Sequence, residues 1–144
     1  MWFSRKQVAD GSADGAKAVA KAVPGQVTTK SRGDAAEAAA LAYLARAGLK
    51  LVETNYRTPG RGGGEIDLVM RARDGTLVFV EVRQRSGDQH GGAAASIGAV
   101  KQQRIIHAAR HYLTRFASPP PCRFDVVLID GGTIEWLPAA FDAS

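Results

Sequence analysis

The chain has 144 residues, of which 45% are hydrophobic and 23% are charged. This is the composition of an ordinary globular protein, and the length suffices for one domain with a buried core. No apolar run is long enough to span a membrane and no continuous apolar core marks a signal peptide, which predicts a cytoplasmic protein. The single cysteine, Cys122, excludes an intrachain disulfide and a cysteine-rich metal site. The net charge of +5 favours a polyanionic partner, above all nucleic acid.

The beginning of the chain differs in composition from the rest. It mixes Gly, Ala, Ser, Lys and Asp without a sustained hydrophobic period, which predicts a flexible N-terminal arm over 1–30 and a folded domain over 31–144. The first helix is expected to begin at Asp34, because an N-cap acid with Glu37 three positions later has the spacing of a capping box. Gly48 suits the C-terminal end of this helix.

Three strands, a long helix and two more strands are predicted after Gly48. The hairpin signal Asp74-Gly75 separates the second strand from the third, and a run of prolines from Pro119 follows the helix. The order αβββαββ predicts an α/β domain with a mixed central sheet flanked by helices. The expected ranges are 49–56, 65–71 and 77–84 for the first three strands, 97–117 for the helix, and 123–129 and 133–137 for the last two strands.

The third strand, VFVEVR at 78–83, carries an acid inside an otherwise apolar run. Because side chains alternate across a strand, Glu81 shares a face with Phe79 and Arg83. Counting back from the hairpin turn places Asp67 of the second strand at the level of Glu81 and on the same face. Two carboxylates about 4 Å apart repel by roughly 4 kcal/mol at an effective dielectric constant near 20. Such a pair would shift its pKa values, attract a cationic side chain or hold a divalent metal.

Two interpretations of Glu81 stay open from this pattern alone. In the first, Glu81 is a metal ligand, and Asp and Glu oxygens without Cys or a His cluster are typical of Mg²⁺ or Mn²⁺. Glu65 would then project from the same face as Asp67. In the second, Glu81 forms an internal salt bridge with Arg83 or Arg57, and the acids of the second strand are solvated.

Three segments carry a resemblance to a known family: GEIDLVMRARDGTLVFVEVRQR, VKQQRIIHAARHYL and RFDVV. On these segments the chain, from about Gly33 to its C-terminal end, resembles the YraN-like family of uncharacterised bacterial proteins. That family is similar to the restriction-endonuclease-like superfamily, which includes archaeal Holliday junction resolvases and carries a PD-(D/E)-x-K nuclease signature. The resemblance implies a restriction-endonuclease-like αβββαβ core.

The resemblance also implies a metal site. Asp67 matches the first metal-binding acid of the signature, and Glu81 matches the second. The implied ligands of Mg²⁺ (or Mn²⁺) are these two carboxylates and the carbonyl oxygen of Val82. Glu37 or Glu65 would join them through a water molecule.

Three further catalytic candidates follow from the same resemblance. Glu37 matches an acid that such nucleases often place on the first helix, although it also fits the capping box. Lys101 matches a lysine that the family carries at the start of its second helix. Arg83 stands where the signature has a lysine, and arginine can hold a phosphate or polarise water but is a poor proton acceptor. Lys101 would then take the place of the missing lysine.

The implied function is Mg²⁺-dependent phosphodiester hydrolysis in DNA, in branched or repair intermediates, and the likeness to resolvases suggests a homodimer. The alternatives are a nucleic-acid-binding protein of the same fold whose site is impaired at Arg83, and an adaptor that binds protein at the sheet edge. The polar face of the second helix fits either a backbone-binding surface or a solvated one. The residues expected to contact nucleic acid are Arg57, Arg61, Arg85, Lys101 and Arg104.

Overall fold

The computed structural model describes residues 29–60, 62–84 and 97–143. Residues Gly33–Ser144 form one compact unit. The expected N-terminal arm falls almost wholly outside the described residues and stays a prediction. The elements are α1 (Thr29–Arg46), β1 (Lys50–Arg57), β2 (Glu65–Arg71), β3 (Leu77–Gln84), α2 (Ala99–Leu113), β4 (Cys122–Asp130) and β5 (Thr133–Phe141).

The five strands form one mixed sheet in the order β1-β2-β3-β4-β5. The pairs β1–β2, β2–β3 and β4–β5 are antiparallel, whereas β3 and β4 are parallel. A parallel pair needs a crossover connection between its strands, and α2 lies in that connection. The predicted α/β fold, with a mixed sheet and the element order αβββαββ, is therefore confirmed.

The central strand β3 is buried on both faces, as its apolar run predicts. Leu77 and Phe79 pack in the core beside α2, and Val78 and Val80 pack in the core beside α1. The helix residues in these cores include Ile105, Ala109 and Tyr112 of α2 and Ala36, Ala40 and Leu44 of α1. Neither described helix is long and apolar enough to cross a membrane.

The start predicted for the first helix is wrong. The helix α1 begins at Thr29, five residues before Asp34, so Asp34 is not its N-cap. The capping-box spacing is a local pattern that also occurs inside helices, and no proline lies between Thr29 and Asp34 to end the helix there. Glu37 therefore has no capping role, and its side chain is available for the site at the sheet.

A buried carboxylate joins β4 to β5, and no local sequence pattern indicates this role. Asp125 is 0% exposed. It accepts hydrogen bonds from the Arg123 guanidinium at 3.0 and 3.1 Å, from Nε1 of Trp136 at 2.9 Å and from the Ala139 amide at 2.9 Å. Because these donors satisfy both oxygens, the charge is tolerated inside the protein, and we regard Asp125 as a structural residue.

Candidate active site

Asp67 and Glu81, which we call the acidic pair, meet where β2 and β3 separate. The antiparallel register pairs Leu68 with Val80, and extending it by one residue places Asp67 opposite Glu81, as the count from the hairpin predicts. The backbone ladder stops at this point. The Val82 amide instead donates a 2.8 Å hydrogen bond to Oδ2 of Asp67, so a side chain takes the place of a strand carbonyl.

The alternation of faces along β2 is interrupted at Asp67. Ile66 packs in the core beside α2, but Leu68 packs in the core beside α1, although residues two apart on a regular strand share a face. On β1, the position across from Asp67 in register is Asn55, which has a φ of +53°. This irregularity in two neighbouring strands places the Asp67 carboxylate between the two helix layers.

Glu81 is a buried carboxyl group with a cation beside it. The residue is 8% exposed, and Nζ of Lys101 lies 3.5 Å from Oε2 of Glu81. Burial, and then the negative charge of Asp67, raises the pKa of Glu81 to about 7, although the Lys101 ammonium opposes the rise. The structure thus brings together Asp67, Glu81 and Lys101, which the sequence predicts for one site.

Glu37 reaches the acidic pair from α1. Its carboxyl group forms side-chain hydrogen bonds with Asp67 and with Asn55. Burial, and then the charge of Asp67, raises the pKa of Glu37 to about 6. Burial likewise raises the pKa of Asp67, against the hydrogen bond from the Val82 amide. These carboxyl groups therefore hold protons closer to neutral pH than isolated acids do.

The oxygen atoms at the acidic pair are suitable ligands for a hard divalent cation. Two adjacent carboxylates and the nearby carbonyl group of Val82 offer only oxygen atoms, which Mg²⁺ and Mn²⁺ prefer. The described residues contain no group of three or more His, Cys, Asp or Glu arranged to hold a metal. A bound cation would therefore keep several water ligands, as Mg²⁺ commonly does. Glu65 lies 3.7 Å from Arg57, and its charge adds, after burial, to the raised pKa of Asp67.

A cleft of about 380 Å³ opens beside the acidic pair. We call it the cationic cleft, because Arg57, Lys101 and Arg104 contribute its charge together with the single acid Glu65. Lys101 connects the cleft to Glu81. The other residues that line it are Thr58, Gly60, Gly62, Gly63 and Gly64. Two other candidate contacts to nucleic acid, Arg61 and Arg85, lie outside the described residues.

The glycine-rich loop of this cleft is held against α2. A Cβ atom on Gly64 would lie 1.9 Å from the carbonyl oxygen of Arg104, so only glycine fits there. Thr58 closes the loop: its amide donates to the Gly64 carbonyl at 3.0 Å, and its hydroxyl accepts from the Gly64 amide at 2.7 Å. The sequence predicts a turn here from glycine content, but the role of Thr58 and the contact with α2 become visible only in the fold.

The polar face of α2 is divided in two. Its N-terminal half, with Lys101 and Arg104, lines the cationic cleft. In its C-terminal half, His111 is hydrogen-bonded to the Tyr56 hydroxyl of β1. Just beyond the helix, Arg115 forms an ion pair of 3.6 Å with Glu53 of β1. A ligand in the cleft would therefore contact the N-terminal half of this polar face.

Arg83 follows Glu81 by two residues on β3 and lies opposite Leu128 of β4. Strand alternation places it on the same face as Glu81, and the residue is partly buried. The structure therefore keeps Arg83 on the side of the sheet where the sequence predicts it. The lysine that lies beside Glu81 is Lys101, which comes from α2.

Comparison with known proteins finds relatives along the whole chain. The model of a family described as "Uncharacterised protein family UPF0102" matches residues 36–129, which include the acidic pair, Glu37 and all of α2. A UPF0102 protein of Polaromonas sp. (strain JS666) is 73% identical, and one of Polaromonas naphthalenivorans is 70% identical, each over 100% of both chains. A UPF0102 protein of Paracidovorax citrulli is 66% identical over 82% of this chain and 87% of its own.

Proposed function

The chain belongs to the uncharacterised protein family UPF0102, and from the geometry of its acidic pair we propose that it is a Mg²⁺-dependent nuclease that hydrolyses phosphodiester bonds in DNA. The family description names no activity, so the proposal rests on the geometry of the site. The main observation is that Asp67 and Glu81 meet at the point where β2 and β3 separate, next to a cleft lined by three cations. The cations suit a polyanion, and the carboxylates suit a metal ion.

The acidic and basic residues of the site have different proposed roles: the acids would bind the metal ion, and the basic residues would bind phosphates. Asp67, Glu81 and the Val82 carbonyl group would hold the cation. When bound, that cation supplies Lewis-acid stabilisation of the phosphoryl transition state and lowers the pKa of a water molecule. Lys101 lies between the acidic pair and the cleft, so its ammonium group would contact a non-bridging oxygen of the scissile phosphate. Arg104 and Arg57 would hold the neighbouring phosphates.

A proton acceptor near neutral pH is also present in this arrangement. Arg83 stays protonated and cannot act as a base. The pKa of Glu37 is raised to about 6 by burial and by Asp67, which lies within the range useful to a general base at neutral pH. We assign Glu37 to accept a proton from the attacking water, directly or through a second water molecule.

A second candidate function is nucleic-acid binding without cleavage. The observation that favours it is Arg83, which occupies the lysine position of the signature that the chain resembles. The 3.5 Å contact between Lys101 and Glu81 favours activity instead, because it brings a lysine to the same carboxylate from the helix. The preference for branched or repair intermediates, the homodimer and the cytoplasmic location stay predictions.

A cleavage assay separates these functions. We expect the protein to cut single-stranded, flap or branched DNA with Mg²⁺ or Mn²⁺ and to lose this activity in excess EDTA. Asp67→Asn should reduce the rate by about a hundredfold or more, as does the loss of one charge-stabilising group in other enzymes. Asp74→Asn is the matched control, because Asp74 is exposed in the β2–β3 turn. Salt-sensitive binding without cutting would support the second function, and equal cutting by Asp67→Asn would remove the proposed site.

A further inference from the structure

A second cleft, of about 430 Å³, adjoins the cationic cleft. We call it the apolar cleft, because most of its surface is apolar. The two clefts share Gly62 and Arg104, so they are direct neighbours, and we call the pair the groove, with a charged part and an uncharged part. The residues that line the apolar cleft are Gly62, Ala99, Val100, Gln103, Arg104 and His107.

Val100 is unusual for its exposure. Three large hydrophobic residues of the described chain are exposed, and Val100 is exposed most, at 69%, against 44% for Leu51 and 40% for Val52. Val100 does not pack in the core beside α2, because its side chain lies on the outer side of the helix. His107, two turns further along α2, is also exposed and offers a planar ring to the same cleft.

We propose that the two clefts together bind one unpaired nucleotide, with its phosphate in the cationic cleft and its base in the apolar cleft. A nucleotide has the same division, because a charged phosphate is joined to a flat base with apolar faces. Histidine rings and arginine guanidinium planes are surfaces on which unstacked bases commonly lie. His107 and Arg104 supply these groups, and Val100 supplies apolar contact.

This inference rests on the proposed function for its ligand, DNA, and narrows the substrate class to strands with an unpaired nucleotide at the cut. In a duplex the base is stacked and paired, and extruding it costs free energy. In a single strand, a flap or a branch point, that cost is small or absent. The groove would therefore select single-stranded or branched DNA over a continuous duplex, without reading a base sequence.

The test is a binding measurement that needs no catalysis. A short fluorescein-labelled single strand and a duplex of the same sequence are titrated with the full chain in EDTA, and fluorescence anisotropy is recorded. We expect the single strand to bind about tenfold more tightly than the duplex. Val100→Ser and His107→Ala should each weaken single-strand binding by about fivefold or more, as the loss of base stacking does elsewhere. They should leave duplex binding unchanged.

The matched control is Leu51→Ser, which removes another exposed apolar side chain, on β1 and away from both clefts. It should change neither affinity. Equal losses on both DNA forms, no loss with either cleft variant, or no binding of the single strand would each overturn the inference. If the inference fails but the protein cuts duplex DNA in the presence of metal, the proposed nuclease activity is still supported. If the protein selects single strands but cuts no DNA, the nucleotide site is supported and the nuclease activity is contradicted.

Discussion

Replacing Glu81 by glutamine should make the metal-free protein more stable above pH 7. Glu81 is 8% exposed and lies beside Asp67, so its negative charge is held where water solvates it poorly. Glutamine keeps the shape of the side chain and removes that charge. The lost contact with Lys101 subtracts little, because that ammonium group stays partly exposed.

The size and sign of the effect follow from the raised pKa. Burial, followed by Asp67, raises the pKa of Glu81 from 4.5 to about 7, and at about 1.4 kcal/mol per pH unit this corresponds to about 3 kcal/mol. Between these two values the folded state keeps a proton that the unfolded chain has lost, so the free energy of unfolding falls as pH rises. The loss is complete above about pH 7. At pH 5 Glu81 is neutral in the folded protein, and the variant should gain little.

Urea denaturation followed by far-UV circular dichroism, at pH values from 5 to 8 with EDTA present, measures this difference. We expect the two proteins to be similar at pH 5 and the variant to be more stable by about 1–3 kcal/mol at pH 8. Glu37 also has a raised pKa, but it is present in both proteins and cancels in the comparison. Parallel stability curves across the whole pH range would show that Glu81 is not a strained buried charge.

Three other changes test separate parts of the structure. Gly64→Ala should destabilise the protein by about 1–3 kcal/mol, because the new methyl group overlaps a helix carbonyl; urea denaturation should show no such loss for Gly132→Ala, where a methyl group meets open space. Asp125→Asn should lower the free energy of unfolding by about 3–5 kcal/mol, because an amide cannot satisfy all the donors around it, whereas the exposed Asp74→Asn should change it little. Lys101→Met should raise the pKa of the acidic pair, since the ammonium group lowers the pKa of its buried glutamate; carbon-13 NMR titration of the carboxyl groups would contradict this if the curves did not move.

Much of the fold could be predicted from local patterns. The alternating residues and the turn Asp74-Gly75 fix the β2–β3 register, because a short hairpin leaves no freedom in pairing. From that register Asp67 falls opposite Glu81 without any knowledge of distant contacts. The predicted start of the first helix is wrong because the capping box, like the hairpin turn, is only a local pattern. Nothing in the sequence near Asp34 shows whether the helix extends before it.

The parts of the site that could not be predicted depend on contacts between distant segments. The Asp67 carboxylate accepts from the Val82 amide because the ladder ends there, and strand periodicity does not show where a ladder ends. The requirement for Gly64 comes from a helix carbonyl forty residues away in sequence. Asp125 looks like an isolated acid in a strand until Arg123 and Trp136 are brought to it by the sheet.

Calorimetric titration of Mn²⁺ into the metal-free protein at pH 7.5 tests the acidic pair most directly. We expect one Mn²⁺ per chain, bound with release of protons, because carboxyl groups with raised pKa values must lose them to bind a cation. Glu81→Gln should abolish this heat, and Asp74→Asn should retain it. Binding of Mn²⁺ by Glu81→Gln with unchanged affinity would contradict the proposed metal site, and the nuclease mechanism built on it would fail.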